Sequence, residues 1–411
     1  MTDIYKTTQE GYLEFSPGFF QQCMRDYLED PGIVVTAVRY VGEVGVTATT
    51  RMKYTGERDK LLGLFRYGID YTQGGRPRSI EILVKSKTHY LELVQRLGDV
   101  LIKSGIQVPG VAGLLGKTEL FNTHIKEINV FRMQKTDPAF TRVLPIVYGT
   151  YANDAVQQYV VLEEFLANAY VMKDYRDISF WSPAQIETGV RDFSRMHAAH
   201  FGKYETLVGE GWLGKTLDAG VMRELTPLWS AYAEKLRHYI GTLFDAEYLD
   251  THRQWIDTIP QWWGAIDAQK KTLIFNDAQI RNLAVRDPYR DPRLVLFDWE
   301  CASIQLPQRD LVEFLSYAIG EGTTDAEIAG YLEAARHQLA ESAQVTIDPR
   351  EWLTGCRYSI RDLHVNRMAC QLVLHITLNR PDIERVFRAS LRILACVERS
   401  LTALGVALEQ H

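Results

Sequence analysis

The sequence predicts an α+β chain in two parts, a sheet-rich first part followed by a larger, mostly helical second part. Three observations carry this. The 411 residues exceed the roughly 250–300 at which a single hydrophobic core stops growing, so two lobes are expected. Up to about residue 166, segments rich in β-branched and aromatic residues are bounded by glycines, as in antiparallel strands. From about Pro183 onward the apolar spacing is helical, with one short hairpin-like interruption. The division expected is residues 1–166, including an N-terminal helical extension, and residues 167–411.

Residues 10–30 read as short helical material closed by Pro31-Gly32. IVVTAVRYV (33–41), KLLGLFRYGIDY (60–71) and RSIEILVKSK (78–87) read as strands, the last two joined by the turn-rich TQGGRP. In HYLELVQRLGDVLIKSG (89–105), Leu91, Val94, Leu97, Val100 and Leu101 recur at helical spacing and Gly105 marks the end. ELFNTHIKEINVFRMQK (119–135) reads as a second helix, and VLPIVYGTY (143–151) and QYVVLEEFL (158–166) as two more strands. NLAV (282–285) and RLVLF (293–297), joined by RDPYRDP, read as a β-hairpin among helices. Three amphipathic segments, about 325–342, 349–378 and 381–409, complete the chain.

Composition excludes several classes. With 46% hydrophobic and 24% charged residues the chain is ordinary globular material. No segment approaches the ~18 apolar residues of a membrane span, and the first residues lack both the basic cap and the apolar stretch of a signal peptide. A net charge of −6 argues against nucleic acid as a partner. Five separated cysteines outside any CxxC pair suggest neither a disulfide framework nor a zinc knuckle, which fits a reducing cytoplasm.

The chemistry centres on TLIFNDAQIRNLAVR (272–286), where the polar hexad Asn276 to Arg281 separates two strand-like apolar runs. Asp277 and Asn282 lie on the loop entering the hairpin, and Asp298 follows its second strand in LFDWE. Hairpin geometry brings that entry and that exit together. An amide oxygen and a carboxylate suit Mg²⁺, a hard cation that keeps positions for phosphate and water. A separate carboxylate can orient a hydroxyl and accept its proton. The first part supplies complementary charge: Lys85 ends the run IEILV, and Glu127 on the following helical stretch could hold it. Gly42 and Gly45 in VGEVGVTATT would let the backbone approach a phosphate.

Taken in order, LVK at Lys85, KEINVF at Glu127, VVLEEFL, RMHAAHF, NDAQIRN, LFDWE and QRDLVEFL resemble the aminoglycoside phosphotransferase and choline kinase superfamily over most of the chain. The resemblance implies a bilobal protein-kinase-like fold that passes the γ-phosphoryl group of ATP to a hydroxyl of a small metabolite or antibiotic-like acceptor. It makes Asp277 the catalytic base, Asn282 and Asp298 the Mg²⁺ ligands with Glu300 assisting, Lys85 the phosphate-binding lysine and Glu127 its brace. The backbone around Glu164, Phe165 and Leu166 would hold adenine, and Asp310 would tie the catalytic loop. Two departures stand out: Phe275 where the family usually has His, and Arg281 where Gly is frequent. They motivate the rival reading, a catalytically inactive nucleotide-binding pseudokinase or scaffold. A protein-directed kinase is disfavoured, because only 11 residues separate Asp298 from Asp310 and no activation segment fits there.

Two further features have alternative readings. His197 and His200, three apart on one helical face, suggest either a metal pair or packing at the centre of the helical part. Trp212, Trp229, Trp255, Trp262 and Trp263 suggest either a stacking surface for a flat or cationic acceptor or plain core. Asp245, Glu247, Asp250 and Asp257 nearby could attract an amine or form a solvated face.

Overall fold

A computed structural model of the chain describes residues 4–9, 13–44, 60–167, 169–171, 178–214, 216–239, 244–378 and 383–408. The fold is α+β. Its largest sheet has five antiparallel strands, ordered from edge to edge Val34–Glu43, Gly63–Gln73, Arg76–Lys87, Gln158–Glu164 and Val147–Asn153. Beyond residue 183 the chain is mostly helical.

Strand alternation decides what each face of this sheet does. On the central strand, Ile82 and Val84 point to one side and pack with Phe15, Phe19, Phe20, Phe65, Tyr67, Val160 and Leu162 beneath the Pro17–Leu28 helix. Lys85 and Lys87 are offset from Val84 by one and three residues, so they face the other side, where the Thr123–Met133 helix lies. That helix enters a second, larger core with Ile128, Val130 and Phe131, continuous through Val161 and Trp299 to the C-terminal helices. Two lysines are thereby held on the inner face of a sheet.

Around the hexad, the apolar runs on both sides are strands as expected, and the structure adds two short strands that the sequence reading lacks, Ala169–Val171 and Ser303–Gln305. The hairpin Leu283–Arg286 with Arg293–Leu296 is joined by Ala169–Val171 into a three-stranded sheet, and Thr272–Ile274 pairs with Ser303–Gln305. Runs of three residues are too short to show alternation. Near the N-terminus, Leu13–Phe15 is a strand paired with Tyr5–Thr7, and the helix starts only at Pro17. Ser16 sets that start: its hydroxyl accepts from the Phe19 amide, and proline stands at the first helical position. The expected long helix 349–378 is interrupted by a six-residue π turn, Leu363–Met368, between Pro349–Asp362 and Ala369–Leu378.

The five tryptophans are core. All are buried, with Trp229, Trp262 and Trp263 at 1%, 1% and 0% exposure, which selects the plain-core reading over the stacking surface. The neighbouring acids have structural roles: Asp245 caps the Ala246–Asp257 helix, Asp250 pairs with Arg237 and Asp257 with Arg253. The five cysteines are free thiols. Among the described residues no helix is long and apolar enough to cross a membrane.

Candidate active site

The polar hexad is held from behind by one buried carboxylate. Asp310, fully buried, accepts from the Phe275 amide at 2.8 Å and the Asn276 amide at 2.7 Å, and its Oδ2 lies 2.9 Å from Nε2 of His197. The His197 carbonyl accepts from the Thr272 hydroxyl, so that histidine is a packing and hydrogen-bonding residue. His200 goes elsewhere, 3.7 Å from Asp137, and among the described residues the two histidines belong to no cluster of three metal-ligating side chains. Asn276 adopts a left-handed backbone (φ 57°), and its side-chain amide reaches the Cys301 carbonyl and the Ser303 hydroxyl at 3.2 and 3.1 Å. Phe275 is buried, with its ring 4.8 Å from the indole of Trp299. Phe275 is held by apolar packing, and the loop is pinned through Asp310.

Hairpin register explains the next juxtaposition. Leu283 pairs with Leu296, so Asn282 and Phe297 face each other beyond the ladder, and the Phe297 amide donates to the Asn282 carbonyl at 3.1 Å. Asp298 comes next, in a left-handed conformation (φ 73°). Asn282 turns its Nδ2 onto Asp277 Oδ2 at 2.7 Å. Its Oδ1 has no hydrogen-bond donor among the described residues, so that oxygen is available to a cation. Asp277 also receives Arg367 Nη1 at 2.8 Å and Gln279 Nε2 at 2.9 and 3.0 Å. Burial pushes the Asp277 carboxyl above the usual range; Arg367 opposes this, and the charges of Glu313 and Asp298 add to it.

Across from the hairpin stands an ion cluster. Lys85 Nζ lies 2.9 Å from Glu127 and 2.6 Å from Asp298, and Lys87 Nζ lies 2.7 Å from the other Glu127 oxygen. Glu300 is 3.7 and 3.5 Å from the two ammonium groups. Glu127 also accepts the Asp298 and Trp299 amides at 3.1 and 3.2 Å, which ties the brace to the segment after the hairpin. Burial alone would raise the Glu127 carboxyl, but Lys85 and Lys87 more than reverse it and hold it below the usual range. Neighbouring Glu163 goes the other way, pushed up to about 8 by burial and by the charge of Glu127. The charge on Asp298 bears on both Asp277 and Glu127, so the two clusters share one field.

The donor set fits a divalent cation. Glu127, Asp298 and Glu300 offer carboxylate oxygens within 4.8 Å of one another. Glu127 is already committed to two lysines and two amides, so Asp298 and Glu300 are the carboxylates of this group with fewer competing partners. Glu127→Gln would leave two buried ammonium groups short of their shared carboxylate. It is expected to cost about 3 kcal/mol of stability, read as a lower thermal midpoint, with weaker nucleotide binding by calorimetry.

The remaining expected residues are placed less favourably. Gly42 lies within strand Val34–Glu43 at a register shift, with φ 150° and open space where a Cβ would stand. Gly45 lies outside the described residues. The amides of Glu164 and Phe165 donate to Ile146 and Glu81 carbonyls, which leaves Leu166 N–H as the amide of that trio without a partner among the described residues. The Glu164 side chain pairs with Arg286, and Arg66 sits over the Phe165 ring at 4.0 Å.

Sequence reasoning missed Lys87, Gln279, Glu119 and Arg367. Lys87 was findable, since a residue two beyond Lys85 on a strand shares its face. Arg367 had no local signal: it lies 90 residues from Asp277 and comes inward from the π turn. Its other nitrogen meets Glu119 at 2.9 Å, and Asn366 meets the same carboxylate at 3.3 Å.

The sequence profile described as the phosphotransferase enzyme family matches residues 207–345, the segment that contains the hexad, the hairpin and Asp310. No curated protein matches the chain. Among solved structures it is similar to a microcompartment-associated aminopropanol kinase, at 12% identity over 88% of this chain and 98% of that one, with a TM-score of 0.47. It is also similar to an aminoglycoside 2'-phosphotransferase-IIIa solved with GDP (8% identity, 94% and 99% covered, TM-score 0.46). A third is a Plasmodium vivax ethanolamine kinase (11%, 89% and 84%, TM-score 0.41). The motif resemblance read from the sequence therefore has a profile match of its own over residues 207–345, the third of the chain that carries the hexad and the hairpin.

Proposed function

We propose that the chain is an ATP-dependent small-molecule kinase that transfers the γ-phosphoryl group to an acceptor hydroxyl. Residues 1–166 form the nucleotide-binding lobe in this reading and residues 167–411 the catalytic and acceptor-binding lobe. The observation that supports it best is that Asp298, paired with Lys85 beside Glu127, also bears by its charge on Asp277, which Asn282 bonds in the hairpin loop.

Each group has a role that its surroundings favour. Lys85 is shared between Glu127 and Asp298; with phosphate present it would keep Glu127 and turn its remaining donors to phosphate oxygens. Lys87 keeps Glu127 charge-balanced while Lys85 does so. Asn282, Asp298 and Glu300 would hold Mg²⁺, which when bound neutralises charge on the phosphates. Asp277 would orient the acceptor hydroxyl and take its proton. The Leu166 amide would meet the adenine edge. Transfer then rests on positioning and electrostatics, without a covalent enzyme intermediate.

The test is incubation with Mg·ATP and a panel of amino alcohols, sugars, aminoglycosides and hydroxylated metabolites. Acceptor-dependent ADP and a phosphorylated product support the reading. Tight Mg·ATP binding with no product from the panel or from a cell extract would favour the pseudokinase or scaffold.

A further inference from the structure

The Asp277 carboxylate has no vacant acceptor position. An ionised carboxylate offers about four lone-pair sites, and four N–H···O contacts from three side chains occupy them: Arg367, Asn282, and Gln279 twice. Gln279 Nε2 stands 2.9 Å from one oxygen and 3.0 Å from the other, so a single nitrogen straddles the open end of the carboxylate. Its own carbonyl is held by Arg281, at 3.0 Å from Nε and 2.5 Å from Nη2. Local backbone produces this arrangement. Gln279 is extended (φ −74°, ψ 141°) two residues after Asp277, which puts both side chains on one side, and the succeeding 3₁₀ turn Ile280–Asn282 brings Arg281 back against Gln279.

An acceptor hydroxyl can reach Asp277 only by displacing one of these donors. Arg367 is fixed by Glu119 at 2.9 Å and Glu313 at 3.5 Å and is 8% exposed. Asn282 is buried at the foot of the hairpin and bonds the Asp277 carbonyl as well. Gln279 is half-buried and attached to Asp277 by one neutral amide, so it is the donor that yields.

We infer that Gln279, steadied by Arg281, is a guard over Asp277 that keeps water off the base until an acceptor hydroxyl displaces it, so that Arg281, the departure from the family pattern, restricts the enzyme to acceptors that bind well enough to open the guard. The inference rests on the kinase reading above. The reaction suppressed is hydrolysis: water attacks the γ-phosphorus of ATP, its proton passes to Asp277, the bond to the bridging oxygen of ADP breaks, and ADP and inorganic phosphate leave. Gln279 and Arg281 are positioning residues in this scheme: Gln279 acts through its hydrogen bonds to Asp277 and Arg281 through Gln279, and neither takes a proton or a phosphoryl group.

Misfolding lowers rates, whereas loss of a guard raises one. The experiment measures ADP release in Mg·ATP without acceptor, with nucleotide affinity by calorimetry, for the unmodified protein, Gln279→Ala, Arg281→Ala, and Gln279→Ala combined with Asp277→Asn. The expected result is hydrolysis about tenfold faster in Gln279→Ala, the effect of removing roughly one net hydrogen bond. Arg281→Ala should rise less, and the double variant should lose the gain. Rates in both single variants no higher than in the unmodified protein, at equal nucleotide affinity, would overturn the inference and leave the kinase reading intact. A gain that survives Asp277→Asn would also overturn it, because the water would not be using that base. Failure of the unmodified protein to bind Mg·ATP would reject the kinase reading and the guard with it.

Discussion

Replacing Asp277 with Asn is expected to lower phosphoryl-transfer turnover by roughly 10²–10⁴-fold, the range that a positioned general base contributes, while leaving Mg·ATP affinity within about twofold. The reasoning is local. Asn keeps the size of the side chain and one oxygen for Arg367, which is anchored independently by Glu119 and Glu313. It cannot take a proton, and its NH₂ group would face the donors of Gln279 or Asn282. The nucleotide-side cluster of Lys85, Lys87 and Glu127 lies outside the change. Steady-state rates and calorimetric affinity measured on one preparation separate the two effects. Unchanged turnover would remove Asp277 from its role.

Asp310→Ala is expected to be the most damaging substitution for stability near the site, at about 3–5 kcal/mol. A fully buried carboxylate would be lost, and with it the acceptor for two buried amides and the partner of His197 Nε2. Each stranded donor costs about 1–3 kcal/mol because water cannot reach it. The midpoint of thermal unfolding should fall by several degrees, and activity with it, since the Asn276 turn that aims Asp277 depends on the same bonds. Asp310→Asn, which keeps one acceptor oxygen, should lose less. Equal midpoints for Asp310→Ala and the unmodified protein would mean that the hexad is held by something else.

How much was legible in the sequence depends on how local each signal is. Asp277, Asn282 and Asp298 flank one hairpin, so their approach could be read from strand register, whereas Asp310, on the following helix, was reached only through the motif resemblance. Lys85 and Glu127 were legible as a strand end followed by a helix. Their partner Lys87 was equally available but reads as a surface residue until the inner face of the strand is known to be covered. Arg367 and Glu119 were out of reach, because their meeting depends on where a π turn aims a side chain across the site. Indole position was also undetermined, since an apolar stripe has the same spacing whether it faces the core or a ligand; here the tryptophans face the core. Phe275 was legible by position but not by contact: that its ring packs on Trp299 depends on a fold-back of 24 residues.

In the proposed function Asn282 and Asp298 would hold a divalent cation against phosphates gripped by Lys85. Crystals grown with Mn²⁺ and a non-hydrolysable ATP analogue, with data collected for manganese anomalous scattering, address it most directly. The account predicts a manganese peak in direct contact with Asn282 Oδ1 and the Asp298 carboxylate, with Lys85 Nζ on a phosphate oxygen and no longer on Asp298. A bound nucleotide whose manganese touches neither residue, or whose phosphates lie away from Lys85, would contradict it.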